Sequence, residues 1–184
     1  MNSLYYSSKD VALFVEEMRL SCKDQFQMIS TIWKEERNLL DPMYYNNQKR
    51  FIIDVCYWQD YFYNKSVVDK ELQSISMKTN YLINESYSEH QIEDLLNIYS
   101  MFKQLRIEIL YERKCNYVIR SLRGLLADYG YKRKPTEFVT KYNECMNFYH
   151  LKAYVKTDEV LDIRKIRLDD KITFIVTDKN EIVL

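Results

Sequence analysis

The chain has 184 residues, enough to bury a core without help from metal or disulfide, and 47% of them are hydrophobic, which excludes a disordered chain. Lys+Arg and Asp+Glu are each 27, so no net charge draws the protein as a whole to nucleic acid or membrane. Two glycines, two prolines and two histidines exclude a Gly-rich phosphate loop, a turn-rich sandwich or barrel, and a two-histidine metal motif.

The first element read from the sequence is a helix over about 8–40. Ser7-Ser8 supplies its N-cap and Asp41-Pro42 its end. Val11, Phe14, Val15, Met18, Cys22, Phe26, Ile29, Trp33 and Leu40 keep one face at ~100° per residue, a stripe that would run about 45 Å if unbroken. A second helix over about 45–64 places Phe51, Val55, Trp58 and Phe62 on one face. Its flanks are apolar as well: Tyr45, Ile52, Cys56 and Tyr63 on one side, Tyr57 and Tyr61 on the other. A helix apolar over most of its circumference is central to a bundle or covered by another chain, so Tyr57, Trp58 and Tyr61 are the candidate protein interface.

A shorter helix follows over about 67–83, then a turn, then a fourth over about 88–111 opened by the capping sequence Ser88-Glu89-His90-Gln91. Its stripe, Ile98, Phe102, Leu105 and Ile109, does not continue in register, so a bend near 111–114 marks the expected domain boundary. Beyond it a helix over about 113–129 meets Gly130, and Pro135 suits the first turn of a helix over about 136–149. The runs 151–155, 161–168, 172–177 and 181–184 are rich in β-branched residues, with Asp178-Lys179-Asn180 expected to turn the last two into a hairpin. Helix, Gly-containing turn, helix and β-hairpin resembles the element order of a winged helix-turn-helix. The expected fold is therefore mainly α: an N-terminal helical bundle over 1–111, then a small winged-helix-like α/β module over 112–184 with a C-terminal β-hairpin.

The zero net charge hides an uneven layout. Residues 1–102 carry 10 basic and 15 acidic side chains, 103–152 carry 11 and 5, and 153–184 carry 6 and 7. Arg113, Arg120, Arg123, Lys132, Arg133, Lys134 and Lys141 form a basic segment able to neutralise phosphates. The helix that would read bases argues the other way, since Glu137 and Glu144 accompany Lys141 on its outward positions, with Asn143 and Asn147 able to reach base edges.

Equipment for catalysis is sparse. His90 and His150 are sixty residues apart with no ligand-spaced cysteine or carboxylate, and Cys145 and His150 would lie on different sides of one helix. Adjacent carboxylates such as Glu16-Glu17 point ~100° apart on a helix and read as solvated faces. Glu112-Arg113-Lys114 has the Glu-x-Lys pattern of a nuclease but falls where a helix is expected. No enzyme, metal or cofactor is expected.

No apolar run approaches the ~18 residues of a membrane span, no signal peptide is evident, and Cys22, Cys56, Cys115 and Cys145 form no C-x-x-C pair. A reduced protein of the cytoplasm, with no membrane or small-molecule partner, is the expectation. Seventeen tyrosines against three alanines point to an AT-rich coding genome, as in a low-GC bacterium, a phage or a large DNA virus. The expected function is that of a non-catalytic adaptor subunit binding another protein or a second copy of itself, with a bacterial or phage conflict system as one setting. The alternative is a winged-helix regulator that binds nucleic acid through the basic segment 113–141.

Overall fold

The computed structural model describes residues 4–71, 98–112, 114–127 and 133–177, with only the helical backbone described over 63–71. The chain divides into two compact units, Met1–Asp94 and Leu95–Leu184. Described residues of the first are helical; the second joins helices to a four-stranded antiparallel sheet.

The first unit begins with α1, Ser8–Glu17. Ser7 caps it in a reciprocal box: Asp10 N–H donates to Ser7 Oγ at 3.1 Å, and Ser7 N–H donates to Asp10 Oδ2 at 2.9 Å. The single helix expected over 8–40 is broken. Arg19 turns into the left-handed region at φ 51°, and α2, Cys22–Glu35, starts afresh on Ser21, whose Oγ accepts from Asp24 N–H. Two short 3-10 turns, Arg37–Leu39 and Pro42–Tyr44, complete the connection. The break has a visible cost to the periodic reading: Cys22 and Phe26, assigned to the core stripe, are exposed, whereas Ile29 and Ile32 are buried.

The third helix, α3, spans Gln48–Glu71. It opens where Asn47 Oδ1 accepts from Arg50 N–H at 3.0 Å, three residues later than expected, and absorbs the start of the helix expected at 67–83. The rest of that segment and the start of the helix expected at 88–111 lie outside the described residues. α3 packs on both α1 and α2, with Phe51 and Val55 fully buried. Burying such side chains stabilises by about 1.5–3 kcal/mol each. The buried Tyr44 ring meets Phe51 edge-on, and its hydroxyl bonds to Ser8 Oγ at 3.1 Å and donates to Asp54 Oδ2 at 3.0 Å, tying the turn to α1 and α3. Desolvation first, then the Asp54 carboxylate, raises the pKa of this hydroxyl.

The second unit starts with α4, Ile98–Ile107, which runs into a π-helical segment, Glu108–Glu112. The break in register read from the sequence is here, but it is no domain boundary, because α4 packs on a later helix of the same unit. The helix expected over 113–129 is instead a strand and a short helix: β1, Tyr117–Ser121, then α5, Leu122–Ala127. Val118 is buried between exposed Tyr117 and Ile119, a two-residue period, and Ser121 Oγ accepts from Gly124 N–H to start α5. After α6, Thr136–Phe148, come β2, Leu151–Val155, β3, Asp158–Glu159, and β4, Lys171–Val176. Pro135 stands at the N-cap of α6, one residue before the expected position.

The sheet order is β1-β4-β2-β3, with every pairing antiparallel. Phe174 faces Val118 on one side and Ala153 on the other, and its ring meets Phe102 of α4 at 6.2 Å. Phe102, Tyr142 and Phe138 continue the aromatic core into α6. The strand expected at 161–168 is replaced by a 3-10 turn, Ile163–Lys165. Its backbone carbonyls serve a cation rather than a ladder: Lys134 Nζ donates to Ile163, Arg164 and Ile166 oxygens at 3.3, 2.5 and 2.6 Å. The pairing partner expected for the last hairpin, 178–184, lies outside the described residues, and β4 pairs with β1 and β2.

Charge-assisted hydrogen bonds of this kind contribute about 1.5–3 kcal/mol. Lys134→Met should therefore destabilise the protein by about 2 kcal/mol in urea unfolding followed by circular dichroism. An unchanged midpoint would show that the ammonium does not hold the turn.

Candidate interaction surfaces

The outward face of α3 is apolar along its length. Ile53, Tyr57 and Tyr61 recur every four residues with 55%, 65% and 44% of their surface exposed. Behind them the half-buried Trp58 organises the rings. It stacks on Phe62 at 6.0 Å and 30°, and meets Tyr57 and Tyr61 edge-on at 5.7 and 5.6 Å. The Lys9 ammonium of α1 lies 5.4 Å from the Trp58 ring, and Gln59 donates to Gln25 Oε1 of α2 at 3.0 Å. Tyr57, Trp58 and Tyr61 are thus brought together as read from the sequence, with Trp58 bracing the two tyrosines rather than projecting outward. Ile53 was missed, although its four-residue spacing from Tyr57 was legible. Phe26 of α2, next in sequence to Gln25, is also 55% exposed.

In the second unit the described basic residues are placed differently from one another. Arg120 Nη2 pairs with Glu108 Oε2 at 2.6 Å, the carboxylate being buried at the start of the π segment. Arg123 holds Asp169 with two bonds, 2.7 and 3.0 Å, on an exposed surface. Lys134 caps the 163–166 turn as above. Lys141 pairs with Glu137 at 2.7 Å and lies 6.0 Å from the Tyr99 ring, whose hydroxyl donates to Glu144. Arg133 is exposed. Arg113 and Lys132 lie outside the described residues. Another cation, Arg106, is 1% exposed and donates to the Tyr149 carbonyl at 2.5 Å, stapling α4 to the end of α6.

α6 turns Thr136, Glu137, Thr140, Asn143, Glu144 and Asn147 outward. Beside it a groove of about 360 Å³ runs between Tyr142, Met146 and the β2–β3 turn, with Leu161 87% exposed nearby. Cys145 is buried, and desolvation raises its thiol pKa, while His150 is exposed at φ 49°, so the two do not converge. Glu112 ends the π segment and Lys114 lies in a bend, not in a strand. Among the described residues no three His, Cys, Asp or Glu side chains gather as metal ligands, and no helix is long and apolar enough to cross a membrane. His90 lies outside them. No family model matches the chain, and no curated protein or solved structure is significantly similar to it.

Hydrogen bonds from Arg123 hold Asp169 below the usual carboxylate range, as Lys141 does for Glu137 and Arg164 for Asp162. A lowered folded-state pKa means that each pair's contribution is present above the ordinary carboxylate value and is lost as pH falls through the lowered one. The pairs are exposed, so that contribution is small. Arg123→Gln should return Asp169 to the ordinary range in an NMR carboxyl titration; an unmoved midpoint would assign the shift to something else.

Proposed function

We propose that this chain is a non-catalytic binding protein, an adaptor that acts through protein–protein contacts made by the outward face of α3. The observation that carries this reading is the exposed row Ile53, Tyr57 and Tyr61, braced from behind by Trp58. Tyrosine gives large, stiff contact area with a polar tip, and contiguous exposed apolar rows mark interaction sites. The scarcity of glycine and histidine and the separation of Cys145 from His150 support a role without catalysis. Isolated from cells that make it, the protein should run as a complex larger than one chain. Tyr57→Ser with Tyr61→Ser should dissociate that complex and leave the unfolding midpoint within about 0.5 kcal/mol of wild type, as for exposed positions. A wild-type protein of single-chain mass throughout would overturn the reading.

The second unit supports a narrower reading as a winged helix. Its order is helix, strand, helix, helix, then two strands, with β1 beside β4, and α6 takes the place of the second helix of the helix-turn-helix. That arrangement, with exposed Arg133, Asn143 and Asn147, favours nucleic acid as the second reading. Against it, Glu137 and Glu144 share the outward face of α6, and Arg120, Arg123, Lys134 and Lys141 already serve carboxylates or carbonyls. The protein is expected to pass unretained through immobilised duplex DNA at ~50 mM salt, where phosphate contacts are strong. Retention that falls steeply with salt and is weakened by Arg133→Glu would establish the nucleic-acid reading instead.

A further inference from the structure

The outward face of α3 is ordered by charge as well as by apolarity. At ~100° per residue, Lys49, Ile53, Cys56, Tyr57 and Asp60 fall within one sector about 100° wide, opposite the buried Phe51 and Val55. All five are exposed. Lys49 stands at the N-terminal end of this row and Asp60 about 16 Å along it, at 1.5 Å per residue. Neither has an ion pair or hydrogen bond among the described residues, unlike the neighbouring Arg50 and Asp54, which pair with each other at 3.6 Å.

Resting on the reading of this face as a protein-contact surface, we propose that its partner is a second copy of the chain, docked α3 against α3 in antiparallel fashion across a two-fold axis. The polarity of the row argues for this occupant. In a two-fold pair each residue meets a different residue of the other copy at both ends. The register that sets Lys49 of each copy against Asp60 of the other also sets Ile53 against Cys56, so the apolar middle closes on itself. A parallel pair would place lysine on lysine and aspartate on aspartate. A partner surface of one sign would satisfy one end of the row and repel the other. Antiparallel helices also oppose their macrodipoles. A contact built on one helix face is at the small end of stable interfaces, so the dimer should dissociate at roughly 10–100 µM.

Charge exchange between copies tests this arrangement. Sedimentation equilibrium across that concentration range would be run on the wild type, Lys49→Glu, Asp60→Lys, and an equimolar mixture of the two variants. Both positions are exposed, and unchanged circular dichroism would verify that each variant folds. The wild type should dimerise and each variant alone should associate at least tenfold more weakly. The mixture should recover association, because the two exchanged charges then face each other. A monomeric wild type, variants that dimerise like wild type, or a mixture no tighter than its components would each overturn the proposal. Should the wild type be monomeric alone while Tyr57→Ser with Tyr61→Ser still releases a different partner, self-docking fails and the adaptor reading stands. If that double variant releases nothing either, both fall.

Discussion

The first unit depends on a helix with more apolar surface than its neighbours can cover. α1 and α2 bury Phe51 and Val55 of α3 and half-bury Trp58 and Phe62, which accounts for one face of the helix. The same rigid cylinder must then carry Ile53, Tyr57 and Tyr61 on the other face, because a straight helix cannot turn both toward one core. Hydrophobic burial on the inner face thus fixes the presentation of the outer one. Trp58 links the two by packing on Phe62 inward and on Tyr57 and Tyr61 at its edges. The surface is held in a defined shape before any partner arrives, which reduces the ordering cost of binding.

The second unit uses its cations in a different way. Arg106 and Lys134 are spent on backbone carbonyls at places where regular ladders end: the close of α6 and the turn at 163–166. Arg120 neutralises a carboxylate buried at the π segment. A stretch that is basic in composition is thereby largely committed to holding its own fold, and net charge by segment overstates the charge on offer to a partner. The distinction matters for function, since phosphate binding scales with the number of cations whose counterions can be displaced.

Local signals in the sequence were reliable and long-range ones were not. The Ser7–Asp10 cap, the helix after Pro135 and the β-branched runs at 151–155 and 171–176 follow from chemistry within a few residues, and each is present. The break at Met18–Ser21 was hidden because Cys22 and Phe26 keep the apolar phase by residue type while lying exposed beyond a left-handed Arg19. β1 was hidden because Val118, Ile119 and Leu122 fit a helical period as well as a strand; pairing with β4, some fifty residues away, decides between them. The turn at 163–166 depends on Lys134, about thirty residues earlier, which no window of sequence could link to it. The interaction surface was legible in part: an all-round apolar helix announced Tyr57 and Tyr61, but the bracing role of Trp58 and the match of Lys49 to Asp60 needed the direction of each side chain.

The central claim is that the outward face of α3 meets protein. Benzoylphenylalanine introduced in place of Tyr57 and irradiated in the full chain would report directly on what lies against that face. The account predicts a crosslinked product of two chains, with the attachment mapped to the 49–60 segment of the second copy. Irradiation that leaves the folded chain unattached to any protein would contradict it, since the face would then meet only water.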